Sequence, residues 1–402
     1  MKKTYVHISL LFFLITALSG VLMRAFPYFP NFFIPYDHIL HAHSHIALLG
    51  WAFLGVFVIF LKLEWERIAK RRQAMIICFT LFVVSLCMFF AFLGQGYGFI
   101  SILFSTLHIF AEYWAVIFIY RYIKRNRHLP KLSSLYYKGA LLALIISSFG
   151  PYSLAIISAN GWKDGALYDM SIYFYLHFQY NGWLTLFLIG LLITILSSQK
   201  IQFKQRYLKL GFWLYFFSLF PGYLLSVLWV EGLTSFANVL AAAGSIGQWI
   251  GVLFILFAFH GYKKYFSKLE AFGLKITFLL LFLKSTSELG LISPVLAELV
   301  YDTRSVVIGY LHLTLLGFIS IFILTQFALA KLLPINQKSR NGFAIFFIGL
   351  IMNELLLFAD AFLQWIGIRT LPFHISGLLI ASILLALGIF IIWSSVMHKS
   401  SH

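Results

Sequence analysis

Twelve apolar stretches follow one another along the chain, centred near residues 15, 52, 84, 110, 148, 184, 218, 249, 281, 317, 353 and 383. Each runs for about 20 residues, which as a helix rising 1.5 Å per residue matches the ~30 Å hydrocarbon layer of a bilayer. No water is available there to satisfy peptide groups, so such a segment must be helical. The chain therefore reads as an all-α polytopic membrane protein with twelve transmembrane helices. Composition agrees, because only 11% of the 402 residues are charged, against about 25% in a soluble domain. Cys78 and Cys87 fall in one apolar run and offer neither a disulfide framework nor a CxxC motif.

A net charge of +17 raises nucleic acid as a partner, but the placement of the charges argues otherwise. Every second gap between apolar stretches holds a basic run: KLEWERIAKRR (62–72), RYIKRNRHLPK (121–131), KIQFKQRYLK (200–209), KKYFSK (263–268) and KLLPINQKSR (331–340). With Lys2, Lys3, Lys138, Lys275 and Lys399 these put all Lys and Arg except Arg24, Lys163, Lys284, Arg304 and Arg369 on one side. By the positive-inside rule both termini are cytoplasmic, and the expected location is the inner (cytoplasmic) membrane. The basic balance is a topology signal, with the lipid bilayer and not nucleic acid as partner. MKKTYVHISLLFFLITALSG has the outline of a secretory signal, but no small-residue cleavage site follows, and we expect it to be retained.

A short string returns three times. His45-Ile-Ala-Leu-Leu-Gly50-Trp51 reappears as His177-Phe-Gln-Tyr-Asn-Gly182-Trp183 and as His312-Leu-Thr-Leu-Leu-Gly317-Phe318. The copies fall on the second, sixth and tenth apolar segments, run in one direction, and set each histidine ~10 Å below the start of its helix. The chain thus reads as three pseudo-symmetric four-helix arcs, with repeats 1–135, 136–268 and 269–402. The second, sixth and tenth helices should be inner ones, since their polar residues gain nothing by facing lipid. Gly50 and Gly317 would let a neighbouring backbone or a flat cofactor approach closely.

An ionisable side chain inside a bilayer is costly enough to point to function, and imidazole is the commonest metal ligand. At 100° per residue, His41 and His45 share a helix face while His43 points elsewhere, so one helix offers imidazoles to two neighbours. His45, His177 and His312 lead as ligand candidates, followed by His43 and His41, with His374 at the start of the twelfth helix in reserve. Two chemistries fit them: haem, with two histidines axial to one iron, or a three-histidine copper or zinc site near the pseudo-threefold axis. The residues alone leave both open.

Twelve helices in three arcs, with histidines on the second, sixth and tenth, resemble subunit I of the haem-copper oxidase superfamily. His43-Ser44-His45, followed after four residues by Gly50, is also similar to the HxH-x4-G signature of NnrS-type haem- and copper-containing membrane proteins linked to nitric oxide tolerance. The resemblance implies a b-type haem with His45 and His312 as axial ligands, copper or a second metal at His177, and electron transfer or handling of O2 or NO as the task. It further implies an electron-donor protein or quinone, and a partner subunit. The chain departs from the oxidase pattern in three places. IGYLHLTLLGF (308–318) has one histidine where the family has two, YLKLGFWLYFFSLFPGYLLSVLWV (207–230) lacks a histidine pair, and HFQYNGW replaces the usual His-Pro-Glu-aromatic-Tyr. A complete oxidase centre is not expected, and whether the chain is a divergent oxidase or nitric-oxide-reductase-like enzyme stays open.

His108 and Glu112, spaced i,i+4 on the fourth helix, can touch and either relay a proton or orient a ligand. Lys284 and Glu288 repeat that spacing on the ninth helix and read as a structural ion pair. Glu354 and Asp360 lie on the eleventh. Arg24, Arg304 and Arg369 lie near the outer surface, where they snorkel or pair with haem propionates. His128, His260, His398 and His402 sit on the cytoplasmic side and carry no chemistry. No nucleotide-binding loop, HExxH or serine-hydrolase elbow is placed where it could work. Two rival classes remain. One is a proton-coupled secondary transporter or channel using intramembrane histidines, although no plainly broken helix pair marks a substrate site, FPGY (220–223) and FGPY (149–152) being the nearest candidates. The other is a non-catalytic accessory or assembly subunit.

Overall fold

The computed structural model describes residues 4–29, 32–162, 165–230, 232, 234–261, 265–368 and 373–397. Lys2, Lys3, Lys163, Lys263, Lys264, Arg369, His398, Lys399 and His402 lie outside the described residues. Nearly all of the described chain is helical. Among the described residues eleven helices are long and apolar enough to cross a membrane: Thr4–Tyr28, Tyr36–Arg67, Arg71–Gln95, Phe99–Arg125, Lys131–Ala159, Ala166–Ser198, Gln205–Val227, Ser235–Ala258, Arg304–Leu329, Gln337–Trp365 and His374–Met397.

The expected ninth span takes another form. Lys268–Gly290 and Pro294–Asp302 pass the same test only together, and they meet at a bend of 111°. Lys268, Glu270, Lys275, Lys284 and Glu288 dilute the hydropathy of the first piece. Gly290 ends it, and Pro294, whose missing N–H is harmless in a first helical turn, opens the second. A broken helix pair is therefore present where the sequence suggested none. Counting the pair as one span gives the expected twelve.

The second, sixth and tenth spans bury 83%, 89% and 61% of their apolar windows, while the other eight bury 50% or less. The inner position inferred from their polar residues is thus observed. The aromatic residue of each repeated string is enclosed: Trp51, Trp183 and Phe318 are exposed by no more than 2%. The remaining spans carry exposed large residues such as Phe79, Phe110, Phe217 and Leu355, as surfaces meeting lipid should.

At each copy of the string the helix widens into a π-helical segment, at Ile46–Ala52, His177–Leu184 and His312–Ile319. A turn closed by i→i+5 bonds accommodates one extra residue and redirects the side chains around it. Elsewhere, local chemistry starts the helices. Ser267 and Glu270 form a capping box on the ninth span, Asn336 and Ser339 another on the eleventh, and Thr234 caps the eighth.

The chain forms two compact units, Met1–Tyr122 with Leu315–His402, and Ile123–Thr314. In the first, Trp51 stacks on Phe13 with centroids 4.1 Å apart, and its indole N–H donates to Ser320 Oγ at 2.9 Å. The eleventh and twelfth spans approach closely at Gly388, where a β-carbon would lie 2.5 Å from the Phe346 nitrogen. In the second unit the seventh and eighth spans meet in the same manner at Gly211 and Gly251. Tyr136 and Tyr137 are both fully buried; Tyr136 donates to the Leu208 carbonyl at 2.9 Å, and Tyr137 pairs with Thr194 Oγ1 at 2.8 Å.

Candidate functional site

In the first unit the second span does present imidazoles to two neighbours. His41 and His45 turn toward Tyr97, with centroids 4.4 and 5.9 Å away, and His45 packs on Phe92 at 4.2 Å. His43 faces the first span, where its Nδ1 lies 3.0 Å from both the Thr16 carbonyl and Ser19 Oγ. The His45 Nδ1–H donates to the carbonyl of His41, one turn back, at 2.9 Å. A carbonyl can only accept, so the bond places the proton on Nδ1 and leaves the Nε2 lone pair available. Gly50 packs against protein: a β-carbon there would meet Ile46 and Phe12.

His108 and Glu112 touch as their spacing requires. The His108 Nδ1–H donates to Glu112 Oε1 at 3.0 Å, both side chains are buried, and His108 Nε2 is a buried atom without a hydrogen-bond partner. The His374 Nε2 lies 3.9 Å from Asp360 Oδ2, an oxygen that also accepts from Gln364 at 2.8 Å. Tyr122 donates to the buried carboxylate of Glu64, a contact with no local signal in the sequence.

In the second unit His312 repeats the His45 arrangement, its Nδ1–H donating to the Ile308 carbonyl one turn back at 2.8 Å. His177 differs, although it opens the same string. Its Nε2–H donates to the Leu219 carbonyl at 2.9 Å, and its Nδ1 accepts from Asn181 Nδ2 at 3.2 Å. Both nitrogens are thereby used. Asn181 links the ring to the ninth span: its Oδ1 accepts from the Lys284 ammonium, and its Nδ2 reaches Glu288 Oε1 at 3.4 Å. Lys284 pairs with Glu288 at 2.9 Å, and the Tyr310 hydroxyl donates to the same carboxylate oxygen at 2.5 Å. The ion pair read from the i,i+4 spacing is present, but it is one part of a five-residue network. Asn181, four residues past His177, could have been found by the helical spacing rule; Tyr310 could not, because it arrives from another span. Among the described residues no group of three or more His, Cys, Asp or Glu side chains is placed to hold a metal ion.

No family model matches the sequence, and no curated protein matches it. A solved structure does. A chain of a haem-copper terminal oxidase dimer, determined by cryo-electron microscopy, superposes with a TM-score of 0.77 at 12% identity, covering 100% of this chain and 84% of that one. This chain has the haem-copper oxidase fold. Identity at that level carries the arrangement of helices and nothing finer. Within the oxidase fold, the likeness to NnrS-type proteins rests only on the string from His43 to Gly50.

Proposed function

We propose that the protein is an integral membrane haem protein of redox function, in which His45 and His312 are the residues that would hold a b-type haem. Its task is electron transfer or the handling of O2 or NO, with a quinone or a donor protein supplying electrons and a partner subunit alongside. The observation that carries this reading is the bond His45 and His312 share, from Nδ1–H to the carbonyl one turn back. That bond selects the neutral tautomer, fixes ring orientation and raises the basicity of Nε2, the usual preparation of a metal-ligating histidine. When bound, haem would supply reversible one-electron chemistry. Phe92 and Tyr97 lie against the His45 ring. His108, oriented by Glu112 and carrying an unpartnered Nε2, can hold a proton inside the first unit.

Copper does not fit the residues present, because both ring nitrogens of His177 are hydrogen-bonded. No step is assigned to it. No ligand role is assigned to His41, His43 or His374, the lower-ranked candidates, of which His43 meets the Thr16 carbonyl and His374 faces Asp360. Three repeats, 1–135, 136–268 and 269–402, remain our reading of the chain's history, supported by π-helical segments at all three strings. We place both termini in the cytoplasm on the distribution of Lys and Arg.

Oxidised and reduced absorption spectra of the detergent-purified protein test the proposal. A Soret band with sharp reduced α and β bands is expected, abolished by His45→Ala and by His312→Ala but only shifted by His108→Ala. Haem retained in both ligand variants would overturn the assignment. The bent ninth span with its buried charges favours one other reading, a proton-coupled transporter. A flat spectrum together with proton-driven uptake in proteoliposomes would select it.

A further inference from the structure

The network in the second unit has the form of a cation site whose cation is already part of the chain. We propose that the Lys284 ammonium occupies this site as a permanent internal substitute for a metal ion, and that through Asn181 it keeps His177 from acting as a ligand. The inference does not depend on the haem assignment, since neither His45 nor His312 takes part.

The donors around Nζ are those expected of a hard cation. Glu288 Oε1 lies 2.9 Å away, Asn181 Oδ1 accepts from the ammonium, and the face of Tyr180 lies 5.7 Å from Nζ. Lys284 is 1% exposed, so these groups, not solvent, hold its charge. Glu288 Oε1 is in turn approached by Tyr310 at 2.5 Å and Asn181 Nδ2 at 3.4 Å, which spreads the negative charge over three donors.

The consequence for His177 is directional. A positive charge beside Asn181 fixes its amide with oxygen toward Lys284 and nitrogen toward His177. An N–H aimed at Nδ1 requires a lone pair there, so the ring proton sits on Nε2 and goes to the Leu219 carbonyl. Each bond leaves the next only one orientation, and no imidazole lone pair is left for a metal. Lys284 is therefore a positioning residue for His177, acting through Asn181.

Metal analysis of the full-length protein, purified after growth with ample copper and zinc, is the first test. Wild type and His177→Ala should carry the same copper and zinc; about one copper or zinc per chain, lost in His177→Ala, would overturn the proposal. The second test replaces the cation. Lys284→Ala leaves a part-buried carboxylate without its cation and should unfold on the order of 5 °C lower, with the loss restored by added methylammonium but not by choline. Wild-type thermal stability, indifferent to methylammonium, would count against it. Should Lys284→Ala fail to fold, Lys284→Met/Glu288→Gln removes both charges. It is expected to fold and to ignore methylammonium, whereas stabilisation of that variant by methylammonium would show that the ammonium does not act by answering Glu288.

Discussion

The same seven-residue string produces different histidines, and the difference lies in what each ring nitrogen touches. His45 and His312 bond back to their own helices, whereas His177 is held from two other spans, through Leu219 and, by way of Asn181, Lys284. Asn181 is the residue on which this distinction turns. Asn181→Leu should destabilise the protein by about 1–3 kcal/mol, because it takes one acceptor from Lys284, which keeps Glu288, and unties His177; thermal or denaturant unfolding would measure it. Trp51→Phe deletes the hydrogen bond to Ser320 and leaves a small void beside Phe13, and should cost about 1–3 kcal/mol with any bound haem unchanged in its spectrum. Contacts within one helix were legible in the sequence: His108 with Glu112 and Lys284 with Glu288 follow from the turn of an α-helix. Tyr310 with Glu288 and Tyr122 with Glu64 were not, because partners on separate spans depend on which faces pack.

Among the elements, the inner spans were legible from their polar residues, but their π-helical segments were not. The string supplies a histidine, a glycine and an aromatic residue, and nothing in that pattern counts backbone hydrogen bonds. The break in the ninth span was legible in part, since Gly290 and Pro294 stand at its edges. Helix pairing outside the inner spans depends on missing β-carbons. Gly388→Leu would drive a side chain into the backbone at Phe346, and overpacking of this kind costs about 1–3 kcal/mol. We expect lower thermal stability and poor recovery in detergent, while Ser376→Ala, at the part-exposed start of the same span, should leave both nearly unchanged.

For the whole molecule, segment length and the alternation of basic gaps were enough to anticipate a twelve-span chain, and the resemblance to the oxidases rested on the histidines of the second, sixth and tenth segments. At 12% identity to a solved oxidase the arrangement of helices persists with a TM-score of 0.77, because apolar length and inner glycines constrain packing more than any one side chain does. The proposed topology has a direct check in single cysteines placed on a Cys78→Ser/Cys87→Ser background. An impermeant maleimide should label Asn160→Cys in intact spheroplasts and His128→Cys only after lysis. The reverse pattern would turn the protein over in its membrane.

The ninth span also bears on how the chain is made. A lysine at the centre of a helix opposes insertion by about 2.5–3.5 kcal/mol, and this segment fails as a membrane span without the piece beyond its bend. Besides the pair that Lys284 and Glu288 make with each other, the groups that answer its charges come from Asn181, synthesised about a hundred residues earlier, and Tyr310, synthesised later. A ribosome that has just completed Gly290 therefore holds a helix too polar to count as a span by itself. Its entry must wait for the following span to emerge, which makes the stretch from Lys268 to Leu329 a single unit of biogenesis and the interval before its completion the one in which a stalled chain is most exposed to degradation.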